Sequence, residues 1–244
     1  MPKKFSSLLA IMGTLLVFSS VARASLIHDY NFSNSSGVVD TVGSDNGTLM
    51  NGATISGGTL NLNSASSQYV QFNSYLLPTS GAYSVEITAS GVPSTSAYSE
   101  MISQGSSGGP GFYIGTNPTT SPSPDIRLGD SLGTINVAFP SSGSNTFLFS
   151  SSASGSDLWI NGTLVYNTTN FATIGTGGTD TRFGAQFQSY GEYFNGSIAS
   201  VMIYNTAVTP TTATSNVPEP PMWAVMLVGL MGFSFARFRS RNAF

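Results

Sequence analysis

Cysteine is absent from the 244 residues, which excludes disulfide frameworks, iron–sulfur clusters and thiolate zinc sites. Charge is scarce as well, at 8% of residues, and basic charge is scarcest in the middle of the chain. Of eight Lys and Arg, Lys3, Lys4 and Arg23 lie near the N-terminus and Arg237, Arg239 and Arg241 at the C-terminus, leaving only Arg127 and Arg182 between them. Ten of the 11 acids fall in that middle, all but Glu219, for a local charge of about −8. Nucleic-acid or anionic-membrane binding needs clustered Lys and Arg to displace counterions, so neither partner is expected. The one histidine, His28, cannot build a histidine metal centre, and no nucleophile-elbow sequence accompanies it for a Ser-His-Asp enzyme.

What is present argues for a packed domain. Aromatics reach 11% and hydrophobics 40%, whereas a disordered chain is poor in both because it cannot bury enough apolar surface. From Leu26 to Thr209 no segment keeps a 3.6-residue period; short alternating runs recur between turn signals instead. "YSVEITAS" puts Tyr83, Val85, Ile87 and Ala89 on one parity, and Phe147/Phe149 and Val201/Ile203 repeat the pattern. Four Asn-Gly pairs, at Asn46, Asn51, Asn161 and Asn195, offer the positive-φ geometry of tight turns. The clearest, in "DLWINGTLVY", predicts a two-residue hairpin at Asn161-Gly162. The expected fold is all-β, a single jelly-roll sandwich of antiparallel strands flanked by an N-terminal signal helix and a C-terminal hydrophobic helix.

The ends read as addresses. Residues 1–24 combine Lys3 and Lys4, an apolar run from Leu8 to Phe18, and Ala22-Arg23-Ala24, a small-x-small cleavage pattern that leaves Ser25 as the mature N-terminus. After a Thr-rich linker at 210–216, Val217-Pro218-Glu219-Pro220 imposes extended geometry. The uncharged run Met222 to Ala236 follows. At about 1.5 Å per residue it makes a helix of roughly 22 Å, short of a hydrocarbon core of about 30 Å. It reads as a transient inner-membrane anchor, held from the cytoplasmic side by Arg237, Arg239 and Arg241.

Together, these tail features resemble the PEP-CTERM sorting signal. That resemblance implies processing by an exosortase near Pro218-Glu219-Pro220 and delivery to the cell envelope or extracellular matrix of a bacterium that makes exopolysaccharide. In the middle, "LIHDYNF", the Gly-Thr-Leu step at Gly47, "YSVEITAS", "DLWINGTLVY" and "FNGSIASVMIYNTAVTP" follow the order of a laminin G-like, concanavalin A-like domain over residues 25–209. Ala199 and Ser200 stand where members of that family often carry acids.

The concanavalin A-like fold hosts lectins and glycan-cleaving enzymes alike, so the site must decide. Retaining glycosidases need two carboxylates about 5–5.5 Å apart. Glu86 has Thr88 two positions on and reads as a solvated strand residue, while Glu100 and Glu192 have no acid nearby in sequence. The expectation is therefore a non-enzymatic exported protein binding extracellular polysaccharide. The alternatives are a polysaccharide hydrolase or lyase, or an adhesive surface protein with a protein partner. Tyr113 with Asn117, and Gln188, Tyr190, Glu192 and Tyr193, supply the aromatics and polar groups that a glycan site uses. Asp40, Asp45 and Asn46 gather oxygen ligands suited to calcium, although Asp-Asn-Gly is also ordinary turn chemistry.

Overall fold

The computed structural model describes residues 25–34, 37–91, 94–105, 110–118, 124–175, 180–188 and 190–210. The leader with Ala22 and Ala24, and the tail with Val217, Pro218, Glu219, Pro220, Arg237, Arg239 and Arg241, lie outside them, as do both expected terminal helices. Among the described residues no helix is long and apolar enough to cross a membrane.

Alternation of apolar and polar residues produces fifteen strands among the described residues. They are β1 (Leu26–Tyr30), β2 (Thr48–Met50), β3 (Thr54–Ser56), β4 (Thr59–Leu62), β5 (Tyr69–Phe72), β6 (Tyr83–Gly91), β7 (Ser99–Gly105) and β8 (Phe112–Asn117). β9 (Asp125–Leu128), β10 (Thr134–Ala138), β11 (Asn145–Ser152), β12 (Gly155–Ile160), β13 (Thr163–Thr168), β14 (Asp180–Phe183) and β15 (Gly196–Tyr204) complete the set. A 3-10 turn at Ser64–Ser66 and a four-residue helix, α1 (Gly129–Leu132), interrupt them.

The strands form two antiparallel sheets. One has eight strands in the order β13-β12-β11-β6-β15-β4-β3, with β1 also pairing to β15; the other has seven, in the order β10-β9-β8-β7-β14-β5-β2. The β1–β15 register sets Leu26 opposite Tyr204, and beyond it the Asn205 N–H donates to the Ser25 carbonyl at 3.1 Å.

Period-2 patterning places the predicted parity in the core. Val85, Ile87, Phe147, Phe149, Val201 and Ile203 are fully buried, and they face Ile102, Ile114, Ile126, Leu128 and Phe183 of the other sheet. Each such side chain contributes about 1.5–3 kcal/mol by leaving water. Aromatic rings cross the gap edge-on, Tyr83 meeting Phe112 at 5.5 Å and Tyr30 meeting Phe183 at 5.2 Å between centroids. The hydroxyls of these two buried tyrosines are satisfied, Tyr83 donating to the Ala172 carbonyl and Tyr30 to that of Asp45.

Asn161 and Gly162, at φ 52° and 79°, make the two-residue turn that joins β12 to β13. Asn51-Gly52 also turns with positive φ, but between strands of different sheets, so it makes a corner rather than a hairpin. The other two pairs are not tight turns of this kind. Asn46 accepts the Asp40 N–H on its side chain and Gly47 bridges to Val38, where a Cβ would lie 2.5 Å from Val70. Asn195-Gly196 simply opens β15.

Outside the core the two sheets differ. The eight-stranded sheet turns Leu148, Trp159, Met202 and Tyr204 outward as a small apolar cluster with Val208 and Leu26. Glu86, expected as a solvated residue, is half-buried there between Leu148 and Met202, and burial raises its carboxyl above the usual range. The outer face of the seven-stranded sheet is polar, and it carries the candidate site.

Candidate functional site

Two short strands share a pattern. Asp125-Ile-Arg127-Leu forms β9 and Asp180-Thr-Arg182-Phe forms β14; in each the apolar or small partner residue is buried while Asp and Arg alternate onto the outer face. That alternation brings both arginines of the middle region to one face of the sheet. Register adds Gly115 of β8 beside Arg127, Glu100 of β7 beside Gly115, and Gln71 of β5 beside Arg182.

Residues 184–188 and 190–194 then fold over this face. The Ser103 hydroxyl donates to the Ala185 carbonyl at 2.7 Å, Arg182 donates to the Gln186 carbonyl at 3.1 Å, and the Glu100 N–H donates to the Glu192 carbonyl at 2.9 Å. Phe187 is buried beneath the segment, its ring against Gly105 and Gly111.

Under that cover Arg127 holds two carboxyls. Its Nη1 donates to Glu100 at 2.7 Å and to Glu192 at 3.0 Å, so one nitrogen draws the two acids together. The guanidinium is also stacked between Tyr98 and Tyr113, 4.1 and 4.3 Å from the ring centroids. Burial alone would lower the Arg127 pKa, but Glu100, Tyr113 and Glu192 outweigh it and keep the group charged. For Glu100, burial dominates and pushes the carboxyl well above the usual range; Arg127 opposes that shift, and Glu192 and Asp130 add to it.

Glu100 Oε2 has no hydrogen-bond partner and lies over Gly115, where a Cβ would come within 1.6 Å of it. Glu192 differs in that 19% of its side chain is exposed, against none for Glu100. Of the two acids, Glu192 is the one that can meet a ligand. In the swapped amide orientation that its surroundings require, Gln186 donates to both Glu192 oxygens.

Next to Glu192 lies a groove of about 360 Å³ lined by Ser64, Ser94, Thr95, Ser96, Ser99, Tyr193 and Asn195. Its wall at 94–97 is set by the Ser94 hydroxyl, which accepts the N–H groups of Ser96 and Ala97. Tyr193 packs against Tyr69 at 6.1 Å. The lining is hydroxyls, one amide and one aromatic ring, the chemistry that hydrogen-bonds and stacks on sugars.

The glycan-site residues read from the sequence fall unevenly around this geometry. Tyr193 lines the groove and Glu192 directly precedes it, while Tyr190 is exposed with its ring edge-on to Phe187. The Gln188 N–H donates to Asp180. Asn117, on the same sheet, donates to the Thr134 hydroxyl. Tyr113 is not an exposed platform: it is buried, its hydroxyl donates to Asp130 at 2.9 Å, and one ring face is taken by Arg127. Arg127 and Glu100 were missed, and the sequence reading left Glu100 and Glu192 without an acidic partner. That reading is wrong, because β7 and the 184–194 segment bring them onto one guanidinium. The signal available for Arg127 was the repeated Asp-x-Arg alternation; none existed for Glu100.

The Asp40 loop is a separate cluster. His28, Asp40 and Asp45 offer ligand atoms within 4.8 Å of one another. Asp40 is already occupied, however, with one oxygen accepting the N–H groups of Asp29, Val42 and Gly43 and the other that of Asp45 and His28 Nδ1 at 2.6 Å. Calcium takes six to eight oxygens, and this cluster does not present them while Asp40 keeps those donors; Asn46 serves the loop too, accepting from the Asp40 N–H. Burial would raise the Asp40 carboxyl, but the His28 bond and the N–H groups of Gly43, Asp29 and Val42 outweigh it and hold it below 3.8. A carboxyl lowered by folding stabilises at pH above its unfolded value and loses that contribution as pH falls through its folded value. Asp40→Asn should therefore melt at a lower temperature than the parent near neutral pH, and the gap should close as the pH drops below about 4. Thermal melts of both proteins across pH check this.

Domain 4 of AbnA, a GH43 extracellular arabinanase from Geobacillus stearothermophilus, solved with arabinotriose, superposes with a TM-score of 0.61 at 20% identity, covering 79% of this chain and 98% of that one. Trypanosoma rangeli sialidase in complex with sialic acid gives 0.59 at 11% identity, over 78% of this chain but only 32% of the sialidase. The binding domain of Botulinum neurotoxin DC, in complex with rat synaptotagmin II, gives 0.54 at 15% identity over 75% of this chain and 49% of that one. At these identities the likeness is one of fold. A search of curated protein sequences returned no match.

The comparisons correct the expectation of a non-enzymatic module. The fold occurs within chains of glycoside-cleaving enzymes, and Glu100 and Glu192, read from the sequence as isolated acids, share Arg127 in the structure. A family model described as Laminin_G_3, concanavalin A-like lectin/glucanases superfamily, matches residues 63–213, and the chain belongs to that family.

Proposed function

We propose that this is an exported, glycan-active protein that takes a polysaccharide chain in the groove at Tyr193 and Asn195, beside the Glu192–Arg127–Glu100 cluster. The observation that carries this reading is an uncharged, hydroxyl-lined groove whose one aromatic residue directly follows the exposed member of an acid pair. The fold it shares with an arabinanase domain and a sialidase supports a carbohydrate partner. Export is supported by the leader ending at Ala24. The Val217-Pro218-Glu219-Pro220 tail supports exosortase processing after transient inner-membrane anchoring, and delivery to the envelope or matrix.

In this reading Glu192 exchanges a proton with a bound sugar, with Glu100 behind it as a carboxyl whose pKa burial raises. Affinity electrophoresis in gels containing polysaccharides tests binding, and reducing-end release tests cleavage. The parent protein should be retarded by at least one polysaccharide, with Tyr193→Ala about tenfold weaker, a loss of about 1.4 kcal/mol. Any cleavage should vanish in Glu192→Gln. A parent protein that no polysaccharide retards would overturn the reading.

A further inference from the structure

We infer that the polysaccharide taken by the groove is an uncharged one, and that polymers bearing carboxylate or sulfate groups are excluded. This rests on the glycan reading above and names the substrate class for the same site. An acidic sugar is held most strongly by a cation with free donors, best a guanidinium that grips two oxygens at once. Arg127 and Arg182 are the only Lys or Arg among the described residues.

Neither arginine is available. Arg127 is engaged by Glu100 and Glu192, with Tyr98 and Tyr113 on its faces. Arg182 pairs with Asp180 through Nη2 at 3.1 Å, donates from Nε to Gln71 at 2.9 Å and from Nη1 to the Gln186 carbonyl, and lies over the Tyr69 ring. The remaining titratable base, His28, is bound to Asp40 in the separate loop cluster.

The groove adds nothing to attract an anion. None of its lining residues is charged, and the charged residues adjacent in sequence to that lining, Glu100 after Ser99 and Glu192 before Tyr193, are both acids. Ten acids against two arginines over residues 25–210 set a negative field around it, felt across a Debye length of about 8 Å at physiological ionic strength. A polyanion threading the groove would meet repulsion at every acidic sugar with no ion pair to offset it. A neutral polymer loses nothing by the same absence, because hydroxyl–hydroxyl bonds and stacking on Tyr193 need no countercharge.

The test uses matched polymers that differ only in charge. A uronate polysaccharide is compared with its carboxyl-reduced form, alongside a panel of neutral polysaccharides, all in EDTA so that divalent cations cannot bridge acid to acid. The expected result is retention of neutral or carboxyl-reduced polymers and at least tenfold weaker retention of the native acid forms, with the deficit shrinking as salt is raised. Thr95→Lys, which puts a cation on an exposed groove position, should raise retention of the acid polymer relative to that of the neutral one. Equal or tighter binding of the native acid polymer in EDTA would overturn the charge inference and leave the glycan reading standing. Failure to bind any polymer, acidic or neutral, would overturn both.

Discussion

Arg127→Met should lower stability by about 3–5 kcal/mol near neutral pH, because it leaves the carboxyls of Glu100 and Glu192 facing each other without their shared cation. The loss should be unequal across pH. Burial already raises the Glu100 carboxyl well above 4.5, so protonation relieves part of the damage and the variant should approach the parent as the solution is acidified. Glu100→Gln should behave in the opposite sense. A carboxyl whose pKa is raised by folding weakens the folded state as pH climbs from its unfolded value toward its folded one. Removing the charge should therefore hold or increase stability relative to the parent above pH 4.5. Urea denaturation of the two variants across pH decides the matter: equal losses for both at neutral pH would mean that Arg127 does not compensate a buried charge.

The second large effect belongs to Phe187→Ala, expected at about 3–5 kcal/mol for truncating a buried aromatic ring. Its consequence should be local as well as global. The ring rests where β-carbons on Gly105 and Gly111 would come within 3.1 and 2.3 Å of it, and it fixes the middle of the segment that carries Glu192 and Tyr193. Without the ring, protease should cut between Gly184 and Phe194 well below the melting temperature, and polysaccharide retention should fall with it. Gly111→Ala attacks the same contact from the sheet side and should reproduce the phenotype. A Phe187→Ala protein whose segment stays protected would show that hydrogen bonds from Ser103 and Arg182 suffice to hold the cover in place.

These two expectations mark where sequence reading works and where it stops. The parity of Tyr83, Val85, Ile87 and Ala89 is legible because the β6 core face excludes water, and a strand states that requirement locally, every second residue. The Asn161-Gly162 hairpin is legible for a similar reason: its backbone geometry is fixed by two adjacent residues. Arg127 and its carboxyls are 27 and 65 residues apart. Nothing local to Glu100 announces Glu192; only sheet order and the fold-over of Gly184–Phe194 make them neighbours. Tyr113 misleads for the same cause: its sequence offers an aromatic for a glycan site, but the residue is buried and one ring face is taken by Arg127. Tyr193 survives as a groove residue because it belongs to the covering segment itself.

The antiparallel pairing of β1 with β15 bears on how the protein is displayed. Ser25 and Asn205 are hydrogen-bonded neighbours, so the chain enters and leaves the sandwich at one spot. From there β15 runs back through its nine residues to Gly196, beside groove residue Asn195, a distance of roughly 25 Å at strand rise. The sandwich is thus a pendant with its ring at one pole and its groove toward the other. Held by either flank, it would present the groove away from the point of attachment.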